Sequence, residues 1–250
     1  MTDLHTTTPL ATVRPPRPWQ RLLALAGIVF AVLMLLAWFL NSAETPEYGA
    51  PDHDWTNWAK DSEMKQRFAA FFALLAGLVF LPFAATIRDV LANAEERFDG
   101  SVRLARVAFA GGLIGVTGIT MATVMITGAS AQGADADPVV SKAIATATVG
   151  PFLVAPMGFV GLLASAGLIT LRTGALPRWT GIVALIGAVS FAITFLVTID
   201  GATDGSVFGY GFFPGFLALV TWSIGTSLAT HRTLVRPVTG ASAAGVELRQ

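Results

Sequence analysis

The stretch RFAAFFALLAGLVFLPFAATIRDVLANAEERFDGSVRLAR, residues 67–106, decides how this chain folds. Phe68 to Ile87 carries no charge, whereas Lys65 and Arg67 precede it and Arg88 and Asp89 follow it. A bilayer core ~30 Å thick is crossed by about 20 helical residues at ~1.5 Å each, which is the length of this run. Pro82 lies inside it. A mid-helix proline costs ~3 kcal/mol in a soluble helix. In a bilayer, neighbouring helices satisfy the freed carbonyl, so Pro82 reads as a packing kink, with a moving gate as the alternative. Beyond Ile87, Asp89 to Arg97 continues the helix into water. Asp99-Gly100-Ser101 reads as a turn in which Gly100 ends one helix and Ser101 caps the next. Arg88, Arg97, Arg103 and Arg106 share this one short connection, the positive-inside signal of a cytoplasmic loop.

Composition agrees. The chain of 250 residues is 54% hydrophobic and 13% charged, against about 25% charged in soluble domains. Formal net charge is zero, so there is no electrostatic basis for binding nucleic acid. With no cysteine, disulfides, thiolate metal sites, iron–sulfur clusters and cysteine nucleophiles are excluded.

Working outward from the central stretch, residues 1–18 are polar and proline-bearing and read as a disordered cytoplasmic tail. A first span occupies about 22–40, too long an apolar run for a cleaved signal peptide, with Trp19 and Trp38 near its ends. Asn41 to Arg67 is the longest polar connection, irregular around Pro46, Gly49 and Pro51 and helical from about Thr56. The remaining spans are 68–87, 107–127, 146–171, 179–199 and 207–230, with 233–250 as a flexible tail. The fourth apolar stretch is interrupted by Pro151 and Pro156 and is expected to break or kink there. The fold class is therefore all-α: a polytopic bundle of six transmembrane helices spanning residues 19–232.

Charge orients it. Of the 16 Lys and Arg residues, only Lys60, Lys65, Arg67 and Lys142 fall on one side of a six-span arrangement. The others lie in the tails and in the second and fourth loops. Both termini are thereby placed in the cytoplasm of a cell-membrane protein. The acidic residues lean the other way, with Glu44, Glu47, Asp52, Asp54, Asp61, Glu63, Asp135, Asp137, Asp200 and Asp204 on the outer side.

No span carries an Asp, Glu, Lys, Arg or His in its middle. Intramembrane ionisable groups mark proton relays, ion paths and counter-ions, so a proton pump, a retinal protein and an ion-coupled transporter are disfavoured. There is no GxSxG, HExxH or Walker A sequence, and Gly209-Tyr210-Gly211 opens a span rather than following a strand. No catalytic residue and no cofactor is expected. For a metal, the outer-face candidates are Asp52, His53, Asp54, Asp200 and Asp204, with solvated acidic loops as the plainer reading. Helix packing is assigned to Gly111, Gly115, Gly118, Gly161 and Ser165. Gly111 and Gly115 form a GxxxG pair that admits a close neighbour. Hydroxyl stripes recur on spans three, five and six. With Pro151 and Pro156, the residues Ser190, Thr194 and Thr198 are candidates to line a polar cavity, packing being the alternative.

Two motifs carry a resemblance. The run from Phe68 through Pro82 to Arg88-Asp89, and the turn Gly174-Ala-Leu-Pro177-Arg178-Trp179-Thr-Gly181, resemble a broad group of uncharacterised bacterial six-span membrane proteins of the domain-of-unknown-function kind. The resemblance implies the six-span layout and no particular activity. The expectation is a non-enzymatic integral membrane protein, structural, accessory or partner-binding. Its partners would be the lipid bilayer and either further copies of itself or another membrane protein. The alternative is a transporter or permease-like protein for a small neutral or lipophilic solute.

Overall fold

The computed structural model describes residues 23–41, 46, 49–131, 133–135, 137–194 and 206–235. Among them are helices and turns and no strand. We number the α-helices α1 (Ala26–Asn41), α2 (Asp52–Asp99), α3 (Arg103–Ser130), α4 (Pro138–Ala147), α5 (Val149–Thr173), α6 (Arg178–Thr194) and α7 (Ser206–Val235). A short 3-10 turn, Gly133–Asp135, precedes α4. Four stretches are long and apolar enough to cross a membrane: Asp52–Asp99, Arg103–Ser130, Pro138–Thr173 and Gly211–Thr233. Helices α1 and α6 are shorter and apolar. At ~1.5 Å per residue α2 is about 72 Å long, more than twice a bilayer core, so its ends project well beyond one.

Local chemistry explains the boundaries. Asp52 and Asp54 sit in the first turn of α2, where negative charge offsets the helix dipole. The helix runs unbroken through Pro82, and the Thr86 hydroxyl donates to the Pro82 carbonyl, 2.8 Å. It stops at Gly100, whose φ of 72° is left-handed and whose N–H returns to the Glu96 carbonyl, 3.0 Å. Gly174 ends α5 the same way, with φ 68° and its N–H on the Thr170 carbonyl. The Asp137 side chain caps α4, accepting from the N–H groups of Val139 and Val140, with Pro138 in the first turn.

The break in the fourth apolar stretch falls at Thr148, between α4 and α5 and one turn before Pro151, which has no N–H to give the Ala147 carbonyl. Pro151 occupies the first turn of α5, and the helix continues through Pro156. The last helix reaches Val235, beyond its expected end. The tail at residues 1–18 and the rest of the C-terminal tail lie outside the described residues.

Six helices form a closed ring in the order α1, α2, α3, α5, α6, α7 and back to α1. The 3-10 turn and α4 pack across one end, against α2 and α3. The contacts run antiparallel around the ring. Glu95 meets Ala105 while Gln66 meets Thr127, and Trp38 stacks on Phe216 while Gly27 lies beside Ser227. One end therefore carries Arg97, Arg103 and the α5–α6 turn; the other carries Asp52, Gly133 and Asp137.

Among the described residues, large side chains fill the centre of the ring. Phe30, Phe80, Phe83, Phe159, Phe191, Phe212, Phe216 and Trp222 are buried there with Leu163 and Leu219. Their rings meet in tilted, edge-to-face and stacked pairs, with centroids 5.0 Å apart for Phe30 and Phe80, 5.9 Å for Phe83 and Trp222, and 5.3 Å for Phe159 and Phe191. Each such pair contributes about 0.5–1.5 kcal/mol beyond area burial. The outside is apolar too. On α2, Phe68, Phe71, Leu74, Leu78 and Leu81 point outward at helical spacing, each at least half exposed; on α6, Ile182, Ile186 and Val189 do the same. A soluble monomer rarely exposes so continuous an apolar surface. Leaving a Leu or Phe in water forgoes about 1.5–3 kcal/mol of transfer free energy, whereas hydrocarbon removes that cost.

Candidate functional site

The closest helix contact joins α3 and α5. A methyl group on Gly111 would lie 2.6 Å from the Gly158 carbonyl oxygen and 2.7 Å from the Leu162 nitrogen. One on Gly118 would lie 2.8 Å from the Ala155 nitrogen and 2.9 Å from the Pro151 carbonyl, and one on Gly115 would enter the Phe159 ring. Gly158 is tighter still: its added carbon would meet the Gly115 backbone and stand 2.6 Å from the Gly111 carbonyl. Backbone thus touches backbone over two turns. Gly161 is looser, its nearest neighbour being the Gly111 Cα at 3.5 Å, and Ser165 is buried one turn further on. Sequence reasoning assigned packing to Gly161 and passed over Gly158, because spacing alone does not say which glycine of a helix lies on the contact line.

At the acidic end, His53 and Asp54 pair through Nε2 and Oδ1, 3.1 Å, with both side chains largely in the open. Asp52 stands beside them in the first turn of α2. Among the described residues no group of three or more His, Cys, Asp or Glu side chains could hold a metal ion; Asp200 and Asp204 lie outside the described residues. Behind this turn Trp55 and Trp58 meet edge to face, 6.0 Å apart, and pack with Ala59, Ile126, Ala129 and Ala145 in a second small core. Further along the same face, Gln66 is fully buried with neither atom of its amide hydrogen-bonded, while its backbone carbonyl accepts from Thr127, 2.9 Å. A search for charged residues does not detect an uncharged amide, though its place beside Lys65 and Arg67 was visible.

The proposed cavity residues are placed as follows. Pro151 is half-buried with its carbonyl against Gly118, and Pro156 is buried within α5. Ser190 is half-buried. Thr194 is fully buried against Gly211 of α7, and its hydroxyl donates back to the Ser190 carbonyl, 3.4 Å. Thr198 lies outside the described residues. On α3, Thr123 donates to the Ile119 carbonyl, and Thr127 lies within hydrogen-bond distance of both the Thr123 and Gln66 carbonyls.

At the arginine-bearing end two features stand out. The first is Glu95, 4% exposed on the projecting part of α2. Its Oε1 accepts from the Ser101 hydroxyl, 3.0 Å, and from the Leu104 N–H, 3.0 Å; its Oε2 accepts from the Ala105 N–H, 2.9 Å. The first turn of α3 is therefore capped by a carboxylate from the preceding helix. Ser101 was expected to be that cap; instead Val102 holds the cap position without a side-chain bond, and Ser101 supports the carboxylate. A charged acceptor makes the stronger bond to an N–H and also neutralises the helix dipole.

The second is a groove of about 560 Å³ between α2, the α5–α6 turn and the end of α7, within the size range of small-molecule sites. Val90, Leu176, Pro177, Trp179, Leu228 and Ala229 supply apolar walls, and Thr230, Arg232 and Thr233 the polar groups. Gly225 makes room for Trp179: an added carbon there would sit 2.8 Å from the indole Cζ2. Thr233 donates to the Thr230 carbonyl, 2.7 Å. The Thr230 hydroxyl is buried and has no partner, as are those of Ser227 and Ser223 further along α7. Leaving a buried hydroxyl unpaired costs about 1–3 kcal/mol. By contrast, Thr226 donates back to Trp222, 2.8 Å. Nearby, a void of about 10 Å³ lies under Arg88, among Phe80, Phe83, Leu162 and Trp222, and the Arg88 guanidinium stands 5.7 Å over the Phe109 ring.

The chain matches no protein-family model, no curated protein and no solved structure.

Proposed function

We propose that this chain is a six-span protein of the bacterial cell membrane with both termini in the cytoplasm, acting as a structural or accessory bundle that binds partner helices and not as an enzyme. The observation that carries the reading is the filled aromatic centre of the ring combined with its apolar outer surface. A bundle whose centre is filled by these aromatic side chains and whose free surface is rich in Leu, Ile, Val and Phe offers side-to-side contact as its main means of interaction. The six-span count is supported by α1 and α6, which hold full places in the ring. At 16 and 17 residues they are about 24–26 Å long, slightly short of a bilayer core. The apolar sequence beyond α6 continues to Ile199. The arginines of the Arg88–Arg106 hinge and of the Arg172–Arg178 turn support the orientation. The hinge and the Leu176-Pro177-Arg178-Trp179 turn, which resemble bacterial six-span proteins, fit the same layout.

A second reading, a permease for a small neutral or lipophilic solute, is favoured by the buried, unpartnered hydroxyls of Ser223, Ser227 and Thr230 on α7, the last of which borders the groove. Native mass spectrometry of the chain, extracted gently from its own membrane, separates the two. The expected result is a homo-oligomer or a stoichiometric complex with a second membrane protein. A monomer carrying a non-lipid molecule of defined mass overturns the accessory reading in favour of the permease.

A further inference from the structure

We propose that the groove between α2, the α5–α6 turn and the end of α7 is a binding site for one anionic phospholipid. This rests on the membrane reading above, with the arginine-bearing end at the cytoplasmic leaflet. Three observations select this occupant.

The groove is chemically divided. Val90, Leu176, Trp179 and Leu228 make an apolar wall, and the cation of Arg232 and the side chain of Thr230 border the same space. A free anion would pair with Arg232 and leave the wall wet. A hydrocarbon alone would cover the wall and leave the cation without a counter-ion. A lipid phosphate with its acyl chain satisfies both.

Thr230 lines the groove, and its hydroxyl is buried there with no partner. Thr233, one turn on, spends its proton on the Thr230 carbonyl, so Thr230 is the hydroxyl with a proton to give. A phosphate oxygen is a strong acceptor for it.

The location suits the ligand. Arg172 and Arg178 flank the turn that forms one wall. Trp179, half exposed, is an aromatic of the kind found at headgroup level. Basic pockets between helices on the cytoplasmic side are where acidic headgroups bind.

The test uses the full chain in nanodiscs of phosphatidylcholine, with or without phosphatidylglycerol, read by native mass spectrometry after mild stripping of bulk lipid. Flotation with phosphatidylcholine vesicles comes first. A chain that fails to float removes the membrane reading itself; one that floats leaves the groove to be judged separately. The expected result is one phosphatidylglycerol retained per chain in preference to phosphatidylcholine. Arg232→Gln should lower that occupancy about fivefold, the effect of about 1 kcal/mol per basic residue near the surface. Thr230→Val should lower it in the same direction, and Arg97→Gln, away from the groove, should leave it unchanged. Circular dichroism of each variant checks that the helices persist. Four results overturn the proposal: no preference for the anionic lipid; an equal loss in Arg97→Gln, the mark of diffuse charge; displacement of the lipid by millimolar inorganic phosphate, which would assign a free-phosphate site; or a dimer without retained lipid, which would assign the groove to a second copy.

Discussion

Glu95 shows how much a single side chain settles. It is an acid in the most basic connection of the chain, and composition alone would treat it as a solvated partner for nearby arginines. Instead its two oxygens hold the Leu104 and Ala105 N–H groups and the Ser101 hydroxyl. This locks the turn between α2 and α3 and sets their antiparallel register. Replacing it leaves two N–H groups of a helix start without acceptors. Glu95→Ala is expected to lower stability by about 2 kcal/mol, and Glu95→Gln, which keeps one acceptor, by about half of that. Amide hydrogen exchange at Leu104 and Ala105 should quicken in the same order. Equal protection in all three proteins would show that the carboxylate is not the cap. The position was unreadable from sequence because the acceptor comes from the neighbouring helix, nine and ten residues before the groups it caps.

Among the helices, the α3–α5 contact makes the sharpest distinction. The GxxxG spacing of Gly111 and Gly115 announces a face suited to close approach, and that face is legible in sequence. Its complement is not. Gly158 and Gly161 both lie on α5, three residues apart, yet only Gly158 is pressed against backbone. Gly158→Ala should therefore cost about 3 kcal/mol, the upper end for overpacking, since a backbone atom cannot rotate away as a side chain can. Gly161→Ala has room and should be neutral or gain up to about 1 kcal/mol from helix propensity. Unfolding titrations in mixed detergent micelles measure both, and similar values for the two variants would contradict this geometry. The prolines teach the converse. Pro151 and Pro156 both look like breakers; the interruption at Thr148 lies one turn before Pro151, whereas Pro156 is carried inside the helix, because packing on both sides holds the chain helical across it.

For the molecule as a whole, the distribution of apolar residues points to a bilayer: aromatic rings fill the centre, and Leu, Ile, Val and further Phe side chains line the outside. The absence of cysteine makes orientation directly measurable, since any introduced cysteine is unique. The proposed orientation, with both termini cytoplasmic, predicts that Asp52→Cys reacts with an impermeant maleimide in intact cells and that Arg97→Cys reacts only after permeabilisation. The reverse pattern would invert the orientation, and labelling of both without permeabilisation would contradict a bilayer between them.

Hydropathy and charge by themselves determined the helical class, the long apolar runs and the sidedness expected of their connections. Each of these follows from free energies that depend on one residue and its solvent: the transfer of a side chain into hydrocarbon and the cost of carrying an arginine across it. Only the tertiary structure decided the rest. It closed the ring, filled its centre, chose Gly158 over Gly161, moved the cap from Ser101 to Glu95, and brought Val90, Trp179 and Arg232 to one groove. Those outcomes depend on which faces of distant helices meet, and that is a property of pairs and triples of residues far apart in the chain. A one-dimensional pattern of hydropathy does not carry it.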